Sequence, residues 1–303
     1  MEKTYDKELQ VRLEEYIAGL GEGGQRKASA IIGYSDATIS QYRNGKYRGD
    51  VSKLESRLRE LFGNQEDAAE LSLPDDYVPT SISESVYDTI RICHLKGGLA
   101  IECGDAGISK TRAAKKYVED YPSSSIYVTV NPCLVTISAF LKLLCRQLKI
   151  PTGRKDDMWM DIEGHLHGGR KVLIIDEAQH LPIKTIEAIR AFYDANPELG
   201  IIMIGNAETV SHGGSSTRES FAQIRNRTKL TEVRHTTQVT RDDIRLLFPG
   251  LPGEKEVDFL HVVAQSEQAV RGAVNLYSNA LDNNDTSYTG LAAMAKAMRI
   301  ITY

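Results

Sequence analysis

The apolar run LAIEC passes straight into Gly104-Asp105-Ala106-Gly107-Ile108-Ser109-Lys110-Thr111, after which the apolar spacing turns helical. A strand that enters a glycine-containing loop and leaves as a helix is the setting of a phosphate-binding loop, and it commits the chain to an α/β fold with a parallel sheet. In such a loop, backbone N–H groups at the helix N-terminus wrap phosphate, a lysine neutralises the β and γ oxygens, and the next hydroxyl ligates magnesium. The candidate ATP contacts are therefore Gly104, Asp105, Ala106, Gly107, Ile108, Ser109, Lys110, Thr111 and Arg112, with Lys110 also catalytic and Thr111 also a metal ligand. One residue departs from the pattern G-x-x-x-x-G-K-[ST]: Ser109 stands at the last glycine. If that position takes φ > 0, a side chain there costs roughly 1 kcal/mol of backbone strain. The expectation is slow turnover rather than loss of binding.

A second segment narrows the chemistry. Lys171-Val172-Leu173-Ile174-Ile175-Asp176-Glu177 reads as a buried strand ending in two carboxylates, 66 residues after Lys110 and with the strand SIYVTV between them. That arrangement puts one acid on magnesium and the next beside the attacking water. Asp176 is the expected magnesium residue and Glu177 the expected general base. The following strand, GIIMIGN, ends at Asn206, whose amide is placed to hold the same water at the carboxyl edge of the sheet. In SFAQIRNRTKL, Arg225 or Arg227 is the candidate arginine finger toward a neighbouring subunit's γ-phosphate, and Arg271, early in a late helix, is the candidate contact from a lid.

At 303 residues and 41% hydrophobic content the chain can fill two to three cores. Leu9, Leu13, Tyr16, Ile17 and Leu20 recur at helical spacing, giving a small helical domain over 1–62. Residues 63–84 hold two prolines, six acids and no Lys or Arg, and read as an acidic linker. Alternating strands and helices then give a core over 85–238, with KLTEVRH as a fifth strand, and helical spacing resumes over 239–303. No run approaches the roughly 20 apolar residues that cross a bilayer, and MEKTYDKELQ offers no apolar stretch for a signal peptide, so a cytoplasmic protein is expected. Cys93, Cys103, Cys133 and Cys145 show no metal-binding spacing and are expected to be reduced packing residues.

The net charge of −4 argues against coating nucleic acid by bulk attraction, but Gln25 to Arg59 carries eight Lys/Arg against three acids. Within that basic stretch, QRKASAIIGYSDATISQYRNGKY has helix-turn-helix spacing, with Gly33 at the turn, Ser35 or Asp36 as N-cap, and Ile39 and Tyr42 inward. The second helix would present Ala37, Thr38, Ser40, Gln41 and Arg43 to DNA, flanked by Arg26, Lys27, Lys46 and Arg48.

Taken in order, the ATISQYRNGKYRGD stretch, the acidic linker, GDAGISKT, LIIDEAQHL, IGNAE and FAQIRNRT resemble the transposition protein B family of phage Mu and its relatives, over nearly the whole chain. The resemblance implies an α/β AAA+ P-loop parallel sheet of five strands with a helical C-terminal lid, preceded by a small all-α helix-turn-helix domain. It further implies an ATPase using ATP and Mg2+ and stimulated by DNA and transposase, its turnover expected to be slow because Ser109 departs from the pattern. Helical filaments on double-stranded target DNA, activation of a partner transposase, and the cytoplasm of a bacterial host complete what it implies. The region from Thr236 has six Lys/Arg against eight acids, so a basic C-terminal DNA face is not expected. Core contacts to DNA are then sought in Asn131 to Lys142, with Thr136 and Lys142, and at Arg154 and Lys155. A replication-type helicase loader and a helix-turn-helix transcriptional regulator that takes ATP only as a ligand remain open alternatives.

Overall fold

The computed structural model describes residues 5–71, 77–134, 136–206 and 228–300. The chain divides into two compact units, Met1–Asp75 and Asp76–Tyr303.

The first unit is four helices: α1 (Lys7–Gly19), α2 (Gly24–Ile32), α3 (Asp36–Arg43) and α4 (Val51–Leu71). Asp6 caps α1 by accepting from the N–H groups of Glu8 and Leu9, and Ser35 caps α3 by accepting from Thr38 N–H at 3.2 Å. Gly33, at φ 78°, ends α2 in the left-handed conformation that lets the chain turn into α3. Leu13, Ile39, Tyr42, Leu54 and Leu58 are fully buried between the helices. The Tyr42 hydroxyl finds Glu55 Oε1 at 3.1 Å, which satisfies its polar end inside this core. α4 continues to Leu71, so the first part of the segment expected as an acidic linker is helical. Gln65, Glu66, Ala68, Ala69 and Glu70 are good helix formers, and acidity without proline does not stop a helix.

In the second unit α5 (Ser81–Lys96) leads into a five-stranded sheet: β1 (Gly98–Gly104), β2 (Ser125–Thr129), β3 (Val172–Asp176), β4 (Gly200–Gly205) and β5 (Thr228–Arg234). The strand order is β2-β3-β4-β1-β5 and every pairing is parallel. β1, β3 and β4 are buried along their whole length, which is why they read as unbroken apolar runs. KLTEVRH does form the fifth strand; it lies at the sheet edge, and its half-buried and exposed residues alternate. The crossovers are α6 (Lys110–Asp120), α7 (Ile137–Leu148), α8 (Lys155–Leu166) and α9 (Ile183–Ala195). Four helices follow the sheet: α10 (Arg241–Leu247), α11 (Glu254–Gln265), α12 (Ala269–Asp282) and α13 (Tyr288–Ala297).

Asp243 of α10 accepts from Ser81 N–H at 2.6 Å and from the Ser81 hydroxyl at 2.7 Å, tying α10 to the start of α5. Burial alone would raise the Asp243 carboxyl, but these bonds and those from Thr240 hold it below the usual carboxylate range. Cys93, Cys103 and Cys145 are buried as expected, whereas Cys133 is exposed, so it is no packing residue. No helix among the described residues is long and apolar enough to cross a membrane.

Candidate active site

β1, between β4 and the edge strand β5, delivers the chain to Gly104 at the carboxyl end of the sheet, and the loop that follows is fixed from two sides. Gly104 has φ 153°, and a Cβ there would lie 2.0 Å from the Arg234 carbonyl oxygen at the end of β5. Asp105 N–H donates to that same oxygen at 3.0 Å. On the other side Gly107, at φ 77°, accepts at its carbonyl from Arg271 N–H of α12 at 3.1 Å. The helical region therefore touches the loop directly, through backbone as well as side chain.

Ser109 has φ 72° and opens α6, so the position does take the left-handed conformation that a glycine there would adopt freely. The strain is worth roughly 1–2 kcal/mol, offset by the roughly 0.5–1 kcal/mol of extra chain entropy that glycine loses on folding. Ser109→Gly should therefore raise stability by up to about 1.5 kcal/mol, seen as a thermal midpoint a few degrees higher. A lowered midpoint would mean that the serine side chain makes a compensating contact.

Lys110 is 9% exposed, and its ammonium donates to Gly104 O at 3.0 Å and Asp105 O at 2.6 Å. Burial pushes its pKa below the ordinary lysine value, against the charges of Asp176 and Asp105. Thr111 Oγ1 donates to Asp176 Oδ2 at 2.8 Å, joining the start of α6 to the end of β3. Glu177 N–H donates to Asp176 Oδ1 at 2.9 Å. Glu177 itself has φ 57°, a left-handed residue without glycine's freedom, and its carboxylate accepts from the Gln179 amide. Gln179 Oε1 in turn accepts from Asn206 N–H at 3.4 Å, so the ends of β3 and β4 are linked around the candidate base.

These groups converge on a cleft of about 470 Å³. The loop from Ala106 to Arg112 forms its floor, with Asp176, Glu177 and Asn206 along the sheet edge. Val78, Leu247, Val270 and Val274 supply apolar walls, and Arg271 and Asn275 project from one face of α12. Backbone donors at a helix N-terminus, a buried lysine, a hydroxyl beside a carboxylate and an apolar wall are the chemistry that a nucleoside triphosphate with magnesium requires.

The remaining candidates fall into four groups. Asp105 belongs to the loop, but its carboxylate accepts from Thr236 N–H at 2.7 Å, so its side chain braces the strand-end segment and only its backbone faces the lysine. Arg225 and Arg227 lie outside the described residues. In the first unit Arg26, Lys27, Gln41 and Lys46 are exposed and Thr38 and Ser40 partly so. Arg43 is half-buried: Nε donates to Glu14 Oε1 at 2.6 Å and the other guanidinium nitrogens engage Glu14 and Gln25. Thr136 caps α7 by accepting from Ala139 N–H at 3.1 Å, while Lys142, Arg154 and Lys155 are exposed.

Sequence reasoning missed Val78, Tyr127, Gln179 and Asn275. Only Gln179, two residues after Glu177 in LIIDEAQHL, carried a positional signal; the others are defined by strand register or by the approach of distant helices.

A family model described as AAA domain matches residues 94–211. Over 247 residues the chain is 28% identical to the ATP-dependent target DNA activator B of Escherichia phage Mu, covering 79% of this chain and 77% of that protein. It is 25% identical over 218 residues to the Mu-like prophage FluMu DNA transposition protein B of Haemophilus influenzae, covering 70% of this chain and 75% of that protein. Among solved structures, the Thermotoga maritima RuvB Holliday junction branch migration motor aligns with a TM-score of 0.48 at 13% identity, covering 73% of this chain and 70% of that one. The phosphate loop between β1 and α6 and the five-stranded parallel sheet give the chain a P-loop ATPase fold, with an AAA domain matched over 94–211 and sequence similarity to the B proteins of phage Mu and a Mu-like prophage.

Proposed function

We propose that this chain is an ATP-dependent DNA-binding ATPase of a bacterial host's cytoplasm that assembles as a helical filament on double-stranded target DNA and activates a partner transposase. The observation that carries this reading is the similarity, over 79% of the chain, to a protein described as an ATP-dependent target DNA activator. Support comes from a complete phosphate cleft walled on one side by α12, which lets the helical region respond to the nucleotide.

In this reading Lys110 leaves the carbonyls of Gly104 and Asp105 for the β and γ oxygens when ATP enters. Thr111 and Asp176 hold Mg2+, which when bound neutralises phosphate charge. Glu177 accepts a proton from the attacking water, and Asn206 orients that water. Arg271 reaches the nucleotide from α12, and Arg225 or Arg227 reaches it from the neighbouring subunit. Arg26, Lys27 and Lys46 meet DNA phosphates, while Thr38, Ser40 and Gln41 face the groove. Thr136, Lys142, Arg154 and Lys155 are the proposed core contacts.

The test is assembly. With ATP and duplex DNA the protein should sediment as a large species and appear as filaments by electron microscopy, and with ADP it should not. A chain that stays monomeric with ATP and DNA would refute the proposal.

A further inference from the structure

We infer that Tyr127 is a positioning residue for the magnesium site: its hydroxyl holds the Asp176 carboxylate and so sets the metal requirement of ATP binding and turnover. The inference rests on the reading of Asp176 as the magnesium residue.

Strand register puts the two side chains together. In the parallel pairing of β2 with β3, Thr129 stands opposite Asp176 and Tyr127 opposite Ile174. Residues two apart on a strand share a face, so Tyr127 lies on the Asp176 side of the sheet, one pleat behind it. A diagonal neighbour at that offset is beyond a short side chain but within reach of a tyrosine. The Tyr127 hydroxyl accordingly donates to Asp176 Oδ2 at 2.8 Å.

The proton directions follow from the groups themselves. An ionised carboxylate only accepts, and a phenol has one proton. Tyr127 gives that proton to Asp176, and so the contact with Thr129 Oγ1 at 3.1 Å has Thr129 as donor. A directed chain runs from Thr129 to Tyr127 to Asp176.

Asp176 offers about four acceptor positions. Thr111 and Tyr127 use Oδ2, and Glu177 N–H uses one position on Oδ1. Asp176 is 2% exposed, so bulk water competes little for these bonds. Three donors from α6, β2 and the strand end thus fix the rotamer and leave Oδ1 to accept from a water of the metal's shell. Removing an outer partner of this kind lowers metal affinity by roughly 10- to 100-fold in other metal sites.

Tyr127→Phe deletes the hydroxyl and keeps the ring. Manganese affinity, measured by electron paramagnetic resonance on the full chain with a slowly hydrolysed ATP analogue, should fall roughly tenfold or more. Half-saturating magnesium for ATP turnover should rise to match, with kcat at saturating magnesium and metal-free ATP affinity in chelator both unchanged. Thr129→Val removes only the donor to Tyr127 and should shift manganese affinity in the same direction by less. Unchanged manganese affinity in Tyr127→Phe, or a lower kcat with an unaltered metal requirement, would overturn the assignment. Wild-type nucleotide binding that is indifferent to manganese, matched by Asp176→Asn, would overturn the magnesium reading and this assignment with it.

Discussion

Glu177→Gln should still bind ATP but hydrolyse it roughly 10²- to 10⁴-fold more slowly, the usual contribution of a positioned general base. The substitution keeps the size and shape of the side chain and removes only its capacity to take a proton. The local scaffold should survive it. Glu177 is held in its left-handed conformation by the turn between β3 and the short helix Ala178–His180, and the side-chain oxygen that accepts from Gln179 is retained in an amide. ATP contacts from the loop and from α12 are untouched. DNA complexes formed with ATP should therefore outlast those of the wild type, because the step that ends the ATP state is blocked. Single-turnover hydrolysis and dissociation from labelled duplex would measure the two effects side by side. Rapid turnover by the variant would remove Glu177 from the role of base and return attention to other polar groups of the cleft.

Lys110→Ala should abolish ATP-dependent assembly. The ammonium is buried and makes charge-assisted bonds to two loop carbonyls, so it is already desolvated and aimed at the loop's interior. Loss of bonds between a charged donor and phosphate costs about 2–3 kcal/mol, which is roughly 30- to 150-fold in Kd. Equilibrium titration with a fluorescent ATP analogue measures this directly. The truncation also leaves the carbonyls of Gly104 and Asp105 without that donor, and a thermal scan separates any loss of stability from loss of affinity. Filaments that form unchanged on DNA with ATP would count against the whole scheme.

The chemistry-bearing stretches were legible because each is contiguous. A phosphate loop needs its glycines, lysine and hydroxyl in one turn of chain, and a metal-serving strand end needs its carboxylates adjacent, so local sequence determines both. The buried strands were legible for a related reason: β1, β3 and β4 are covered on both faces, and their apolar runs report it. The turn at Gly33 and the cap at Ser35 are likewise local requirements of backbone geometry.

What the tertiary structure decided involves partners far apart in sequence. Asp105 looked like a phosphate contact by position, but the N–H of Thr236 at the end of β5 takes its carboxylate. Arg43, a DNA-contact candidate by helical face, has its fork placed against Glu14 of α1 by the docking of the two helices. Tyr127 carried no signal in the strand SIYVTV, and the β2–β3 register brought its hydroxyl to Asp176. Sequence alone set which residues can bind phosphate, metal and proton, since those are properties of side chains and their immediate neighbours. Which of them are free to do so was fixed by packing, because a charged or polar group goes to the first partner that the fold places within hydrogen-bonding distance, and that partner is chosen by register and helix docking.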